Sequence, residues 1–121
     1  MTADTGRIVR LGDVSSTNDE ALARLRAGSG PFWLTAERQV AGRGRRGRAW
    51  SSEPGNLYSS YAFRPELDAD AFGILPLGVA VALADALHAL GLAPQHKWPN
   101  DVLIAGKKCA GILIETEFCG G

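Results

Sequence analysis

Cysteine, histidine and methionine are scarce, with two, two and one copies in 121 residues. A structural metal site wants a cluster of Cys and His ligands. Cys109 and Cys119 are the only thiols, and His88 and His96 lie elsewhere in the chain. Two reduced thiols in a cytoplasmic protein is the expectation, because disulfides are rare there. An excess of charge is also missing. Lysine plus arginine and aspartate plus glutamate number 13 each, so the net charge is zero and the overall field favours no polyanion. No apolar run reaches membrane-spanning length, and Met1-Thr2-Ala3-Asp4 has no secretory leader core. These absences predict a protein with no membrane partner.

What is present is ordinary for a packed domain. The hydrophobic share is 45%, and the length fits one small domain, 1–121. Arg7 to Leu11 alternates weakly, as a strand would. Ser16-Thr17-Asn18-Asp19-Glu20 is a helix-start signature. Ala21, Leu22 and Leu25 form its apolar face, and Gly28 to Pro31 stops it. Phe32 to Glu37 reads as a buried strand. Asn56 to Phe63 alternates, with Leu57, Ser59, Tyr61 and Phe63 on one face. Phe72, Leu75, Val79, Leu83, Leu87 and Leu90 recur at helical spacing, with Pro76 in the first turn and Gly91 at the end. Gln95 to Trp98 is a strand stopped by Pro99. Val102 to Ile104 and Ala110 to Ile114 form a hairpin around Gly106-Lys107. Helices and strands mix without strict βαβ alternation, so the expected class is α+β.

Three segments can carry chemistry. Gly42 to Arg48 alternates glycine with arginine. Glycine lets backbone N–H groups approach an anion, and arginine supplies forked donors for phosphate or carboxylate. Its charges repel, so the loop is expected to be mobile until an anionic ligand gathers it. A basic RNA-binding module is the competing reading, and the Gly-x4-Gly-Lys-Ser/Thr phosphate loop is absent. His96 to Asp101 places Lys97 before Trp98-Pro99, where a fixed ammonium can neutralise phosphate. The competing reading is a surface lysine lying along a core tryptophan. Ser16-Thr17-Asn18 can read the edge of a polar ligand or merely cap a helix. No Ser–His–Asp set or telling pair of carboxylates stands out.

Taken in order, Ser16-Thr17-Asn18, Gln39 to Trp50, Asn56-Leu57-Tyr58, Lys97 to Asp101 and Lys108 to Glu115 resemble the catalytic domain of biotin–protein ligases. The resemblance spans roughly Val14 to Glu117. It implies a fold like the class II aminoacyl-tRNA synthetase core, a mixed sheet flanked by helices. It implies ATP-dependent joining of biotin, through biotinyl-5'-AMP, to a lysine of a biotin carboxyl carrier domain of acetyl-CoA or pyruvate carboxylase. ATP and Mg²⁺ would be co-substrates and biotin the substrate. A homodimer is compatible with the family.

The resemblance also implies roles for residues. Ser16, Thr17, Asn18 and Gln39 would face biotin, with Gly42, Arg43, Gly44, Arg45 and Lys97 toward its carboxylate end. Arg45, Arg46, Arg48, Trp50 and Asn100 would meet ATP or the adenylate. Arg45 and Lys97 would be the catalytic pair, and no metal ligands are assigned. The pattern begins at Val14, which leaves no room for the helix-turn-helix domain of some family members, so DNA binding is not expected. The family continues into a Gly-x-Gly-x-Asn segment and a small β-domain. A chain stopping at Phe118-Cys119-Gly120-Gly121 is therefore expected to be incomplete, with part of the site unbuilt and an inactive fragment as one alternative. A lipoate–protein ligase-like acyl-adenylate transferase is the nearest alternative.

Overall fold

A computed structural model of the chain describes residues 7–98 and 100–118. Cys119 and Pro99, to which the sequence assigns a reduced thiol and a strand stop, lie outside the described residues. The structure is α+β and divides into two compact units, one built from residues 7–66 with 117–118 and the other from 67–116.

The first unit contains β1 (Ile8–Val14), α1 (Thr17–Arg26), β2 (Phe32–Gln39) and β3 (Tyr58–Ala62). β1 and β2 are parallel, and β3 joins β2 antiparallel. Parallel neighbours need a crossover, and α1 supplies it. Phe32, Leu34 and Ala36 point inward at every second position of β2. With Ala21 of α1 and Ala62 of β3, Phe32 and Leu34 make the core, and Val9, Leu11 and Leu25 pack against it. Complete burial of Leu34 contributes about 2 kcal/mol.

α1 ends as its sequence dictates. Gly28 adopts φ +97°, the left-handed conformation glycine takes at no steric cost. Its N–H donates to the Leu25 carbonyl and that of Ser29 to the Arg24 carbonyl, which satisfies the last turn. Arg64 donates to the carbonyls of Ser29 and Leu25, placing a cation at the negative end of the helix.

β3 corrects two expectations. It is shorter than the alternation suggested, and its inward face is Tyr58, Ser60 and Ala62. Leu57, Tyr61 and Phe63 are exposed, and β2 is buried on one face only. On the outer face the Trp33 and Tyr61 rings pack at a tilt, and Phe63 stacks on Tyr61.

The second unit contains α2 (Leu75–Ala89), preceded by a 3-10 stretch Ala69–Ile74, and the antiparallel strands β4 (Pro94–Lys97), β5 (Asp101–Ile104) and β6 (Lys107–Gly111). Gly91 at φ +87° closes α2. Ala80, with the half-buried Leu83, Ala84 and Leu87, forms the packed stripe; Val79 and Leu90, expected on it, are exposed. Side-chain size drew the expected stripe toward the larger residues. Ala69–Ala89 is also continuous helix, long and apolar enough to cross a membrane by length and composition alone. Counting unbroken apolar runs overlooked it, because Asp70, Asp85 and the glycines interrupt the run without breaking the helix.

The β5–β6 hairpin turns at Ala105-Gly106, one residue earlier than expected. Both residues have positive φ, 52° and 77°, the pattern that matches strand twist in a two-residue turn. Alanine there costs about 1 kcal/mol, which is why Ala-Gly is a weak signal in sequence.

Candidate functional site

The parallel pairing of β1 and β2 does not stop at the strand ends. Val40 N–H donates to the Val14 carbonyl, and Ala41 N–H to that of Ser15, both at 2.8 Å. This zips the start of the arginine loop to the segment entering α1. Gln39 therefore lies beside Thr17. Its side-chain oxygen accepts from Thr17 N–H at 2.8 Å and from the Thr17 hydroxyl at 3.2 Å. Its Nε2 donates to Ser52 Oγ at 3.0 Å. Ser60, from the inward face of β3, has one hydroxyl proton to place between Thr17 Oγ1 and Asn18 Oδ1, at 2.7 and 2.5 Å.

Ser16 caps α1. Its Oγ accepts from Asp19 N–H at 3.0 Å and from Arg43 at 3.4 Å. Among the described residues, the buried polar side chains are Ser16, Thr17, Ser52 and Ser60, and all four belong to this one cluster. Burying hydroxyls costs free energy unless each is paired. Here each of the four hydroxyls has such a partner within the protein.

Gly42 is in the cluster for steric reasons. A Cβ at this position would stand 2.8 Å from Ser52 Oγ, 2.9 Å from the Trp50 carbonyl and 3.0 Å from Gln39 Nε2. Gly44 is different, since its Cβ would meet nothing closer than 3.7 Å. Trp50 N–H returns to the Gly42 carbonyl at 2.8 Å, Arg43 bridges to Ala49, and Gly44 N–H donates to the Arg48 carbonyl at 2.6 Å. The loop is thus a short closed ribbon with a 3-10 turn at Arg45–Gly47. The glycines predict no regular strand here, and the paired base departs from that. Backbone bonds across its base are what the glycine pattern concealed.

The four arginines do not behave alike. Arg45, Arg46 and Arg48 are exposed, and Arg46 takes φ +59° at the tip. Arg43 turns toward α1 and holds Asp19 through two hydrogen bonds, at 3.0 and 2.9 Å. The guanidinium assigned to biotin's carboxylate is therefore engaged within the protein. The Arg43 guanidinium holds the Asp19 carboxyl below its ordinary range, against a smaller opposing effect of burial. Trp50 is on the border of exposure and lies over Gly44, where its ring would meet a Cβ at 3.8 Å.

Lys97 and Asn100 belong to the second unit. Lys97 is the last residue of β4, exposed, in register with Asp101. Trp98 is 73% exposed, so Lys97 does not lie along a core tryptophan. Asn100 Nδ2 donates to the Ile112 carbonyl at 2.7 Å, and Ile112 N–H returns to the Asn100 carbonyl at 3.0 Å. The amide nitrogen of Asn100 thus helps hold the chain beyond β6. Asp101 pairs with Lys108 at 3.0 Å. Among the described residues no three His, Cys, Asp or Glu side chains gather as a metal site would require. Cys109 is a free, exposed thiol.

Sequence reasoning missed Ser52, Ser60 and the partner role of Asp19. The serines carry no local motif and reach the site only through the fold. Asp19 was visible as an acidic residue early in a helix, a position with a common alternative use.

Residues 11–120 match the model of the biotin/lipoate A/B protein ligase family. The chain is similar to the biotin–[acetyl-CoA-carboxylase] ligase of Paracoccus denitrificans, 46% identical over 113 residues, covering 91% of this chain and 47% of that protein. It is similar to a bifunctional ligase/repressor of Bacillus spizizenii, 41% identical over 108 residues, covering 86% of this chain and 33% of that protein. In structure it resembles the Leishmania major biotin protein ligase in complex with biotinyl-5-AMP, with a TM-score of 0.77 and 34% identity, over 93% of this chain and 53% of that one. The chain spans about half the length of the Paracoccus relative and a third of the Bacillus one. Its fold is that of the class II synthetase-like catalytic core of such ligases. The ordered motifs, the buried polar cluster beside an arginine ribbon and these likenesses agree: the chain belongs to the biotin/lipoate A/B protein ligase family.

Proposed function

We propose that this protein activates biotin with ATP to biotinyl-5'-AMP and passes the biotinyl group to a lysine of a biotin carboxyl carrier domain, of acetyl-CoA or pyruvate carboxylase. The observation that carries the reading is the clustering of Ser16, Thr17, Ser52 and Ser60 around Gln39, beside the arginine ribbon. Biotin has a polar ureido ring at one end and a carboxylate at the other. The hydroxyl–amide cluster suits the first, and exposed arginines suit the second and the phosphate it attacks.

The chemistry joins two anions. A carboxylate oxygen of biotin attacks the α-phosphorus of ATP, the bond to the β-phosphate bridge breaks, and pyrophosphate leaves. By the family resemblance, Arg45 and Lys97 offset the repulsion and stabilise charge on the phosphate. Arg46, Arg48 and Trp50 serve the nucleotide. Mg²⁺ accompanies ATP as part of the substrate, and none of the described residues is assigned to it. The carrier lysine amine then attacks the acyl carbon, AMP departs and an amide forms. No residue of this chain needs to become acylated. We place this reaction in the cytoplasm.

Calorimetric titration with biotin, biotinyl-5'-AMP and lipoate tests the reading, together with biotin-dependent ATP–pyrophosphate exchange. Binding of biotin and its adenylate in preference to lipoate is expected. Preference for lipoate would move the assignment to the other branch of the family. Salt-dependent RNA binding with no heat from biotin would replace it with the nucleic-acid reading.

A further inference from the structure

Asp19 occupies the position where a helix-start acid commonly reaches back to the capping residue. Here its carboxylate accepts from both Nη atoms of Arg43, at 3.0 and 2.9 Å, and from Ser15 Oγ at 3.3 Å. Arg43 is the first residue of the ribbon's base, bridged to Ala49 and preceded by the sterically locked Gly42. A forked guanidinium–carboxylate pair fixes orientation as well as distance. Both side chains are partly exposed, 30% for Arg43 and 44% for Asp19. Such a pair adds little to global stability, so its effect falls on the geometry of the segment it holds. The arginines divide accordingly: Arg43 is held at the base, while Arg45, Arg46 and Arg48 stand exposed beyond it.

We propose that Asp19 is a positioning residue, which through Arg43 anchors the base of the arginine ribbon to the start of α1 and so aims the exposed arginines. The anchoring stands on the geometry alone, whereas its consequence for adenylate retention rests on the function proposed above.

The experiment compares wild type, Asp19→Asn and the charge-swapped double variant Asp19→Arg/Arg43→Asp. The first readout is limited trypsin cleavage after Arg45, Arg46 or Arg48 without ligand, with cleavage after Lys107 in the β5–β6 hairpin as the fold control. Proteolysis under these conditions follows the population of the open segment. Asp19→Asn is expected to raise ribbon cleavage about tenfold and leave the control unchanged, with the swap recovering most of the protection. Unchanged ribbon cleavage in Asp19→Asn overturns the proposal. If Asp19→Asn raises cleavage at both places, recovery by the swap supports it and failure to recover overturns it. The second readout is the dissociation rate of biotinyl-5'-AMP, expected to rise about tenfold in Asp19→Asn with a smaller change in biotin affinity. A freed ribbon with unaltered retention of the adenylate would leave the anchor intact and remove the function assigned to the ribbon.

Discussion

The side-chain oxygen of Gln39 accepts both the backbone N–H and the hydroxyl of Thr17, while its Nε2 donates to Ser52. One amide thus ties the end of β2 to the first residue of α1 and to the segment after the ribbon. Gln39→Ala removes both the acceptor of Thr17 and the donor to the buried Ser52. A loss of about 1–3 kcal/mol in stability is expected, and a comparable loss in biotin affinity. Thermal denaturation and calorimetry measure the two; an unaltered biotin affinity in a folded Gln39→Ala protein would remove Gln39 from the site.

Gly42 and Gly44 separate steric need from mere composition. Gly42→Ala forces a Cβ against the Trp50 carbonyl, which cannot swing away, and should cost about 1–3 kcal/mol. Gly44→Ala meets only ordinary contacts and should cost less than about 1 kcal/mol. Equal midpoints for the two variants in chemical denaturation would contradict this account.

Acid should act on Asp19. Its folded pKa is lowered, chiefly by the Arg43 hydrogen bonds, from an ordinary value of 3.8. The stabilisation is therefore present above pH 3.8 and is lost as the pH falls through the lower folded value. Arg43 faces this carboxylate, with the hydroxyls of Ser15 and Ser16, and Arg26 senses its charge. Exposure limits the effect to under about 1 kcal/mol. Midpoints of wild type and Asp19→Asn should differ above pH 4 and converge in stronger acid; a constant difference would show that charge is not the cause.

For the proposed reaction, Lys97→Ala should slow single-turnover formation of biotinyl-AMP about a hundredfold, the effect of losing one preorganised donor. Arg45→Gly should speed release of the adenylate more than it weakens biotin binding. A near-normal adenylation rate in the first variant, or an unchanged release rate in the second, would reassign the residue concerned.

Legibility in the sequence followed the range of the interaction. Ser16 as a helix cap, Gly28 and Gly91 as helix ends and Phe32 onwards as a strand are local signals, and each holds in the structure. The motifs carrying Thr17, Gln39, Gly42 and Arg43 were likewise visible, and the β1–β2 pairing brings them together. Ser60 meets Thr17 from 43 residues away, a distance no local pattern encodes. The direction of the Arg43 guanidinium was hidden for another reason. Forked donors suit an internal carboxylate as well as a ligand's, and no local pattern points from Arg43 to Asp19, 24 residues away. The inward face of β3 was obscured because its outer face carries Leu57, Tyr61 and Phe63, which are larger and more apolar than Ser60 and Ala62.

The in-register alignment of Val14 with Gln39 bears on how this protein tolerates insertions and deletions. An added residue between Ser29 and Pro31, beyond the helix cap, only lengthens a surface connection, which costs little. An added residue inside β2 shifts every later side chain to the opposite face. It would present Gln39 to the wrong side of the sheet and detach Thr17 from its acceptor. Length variation among functional descendants of this chain should therefore accumulate after α1 and be purged from β2.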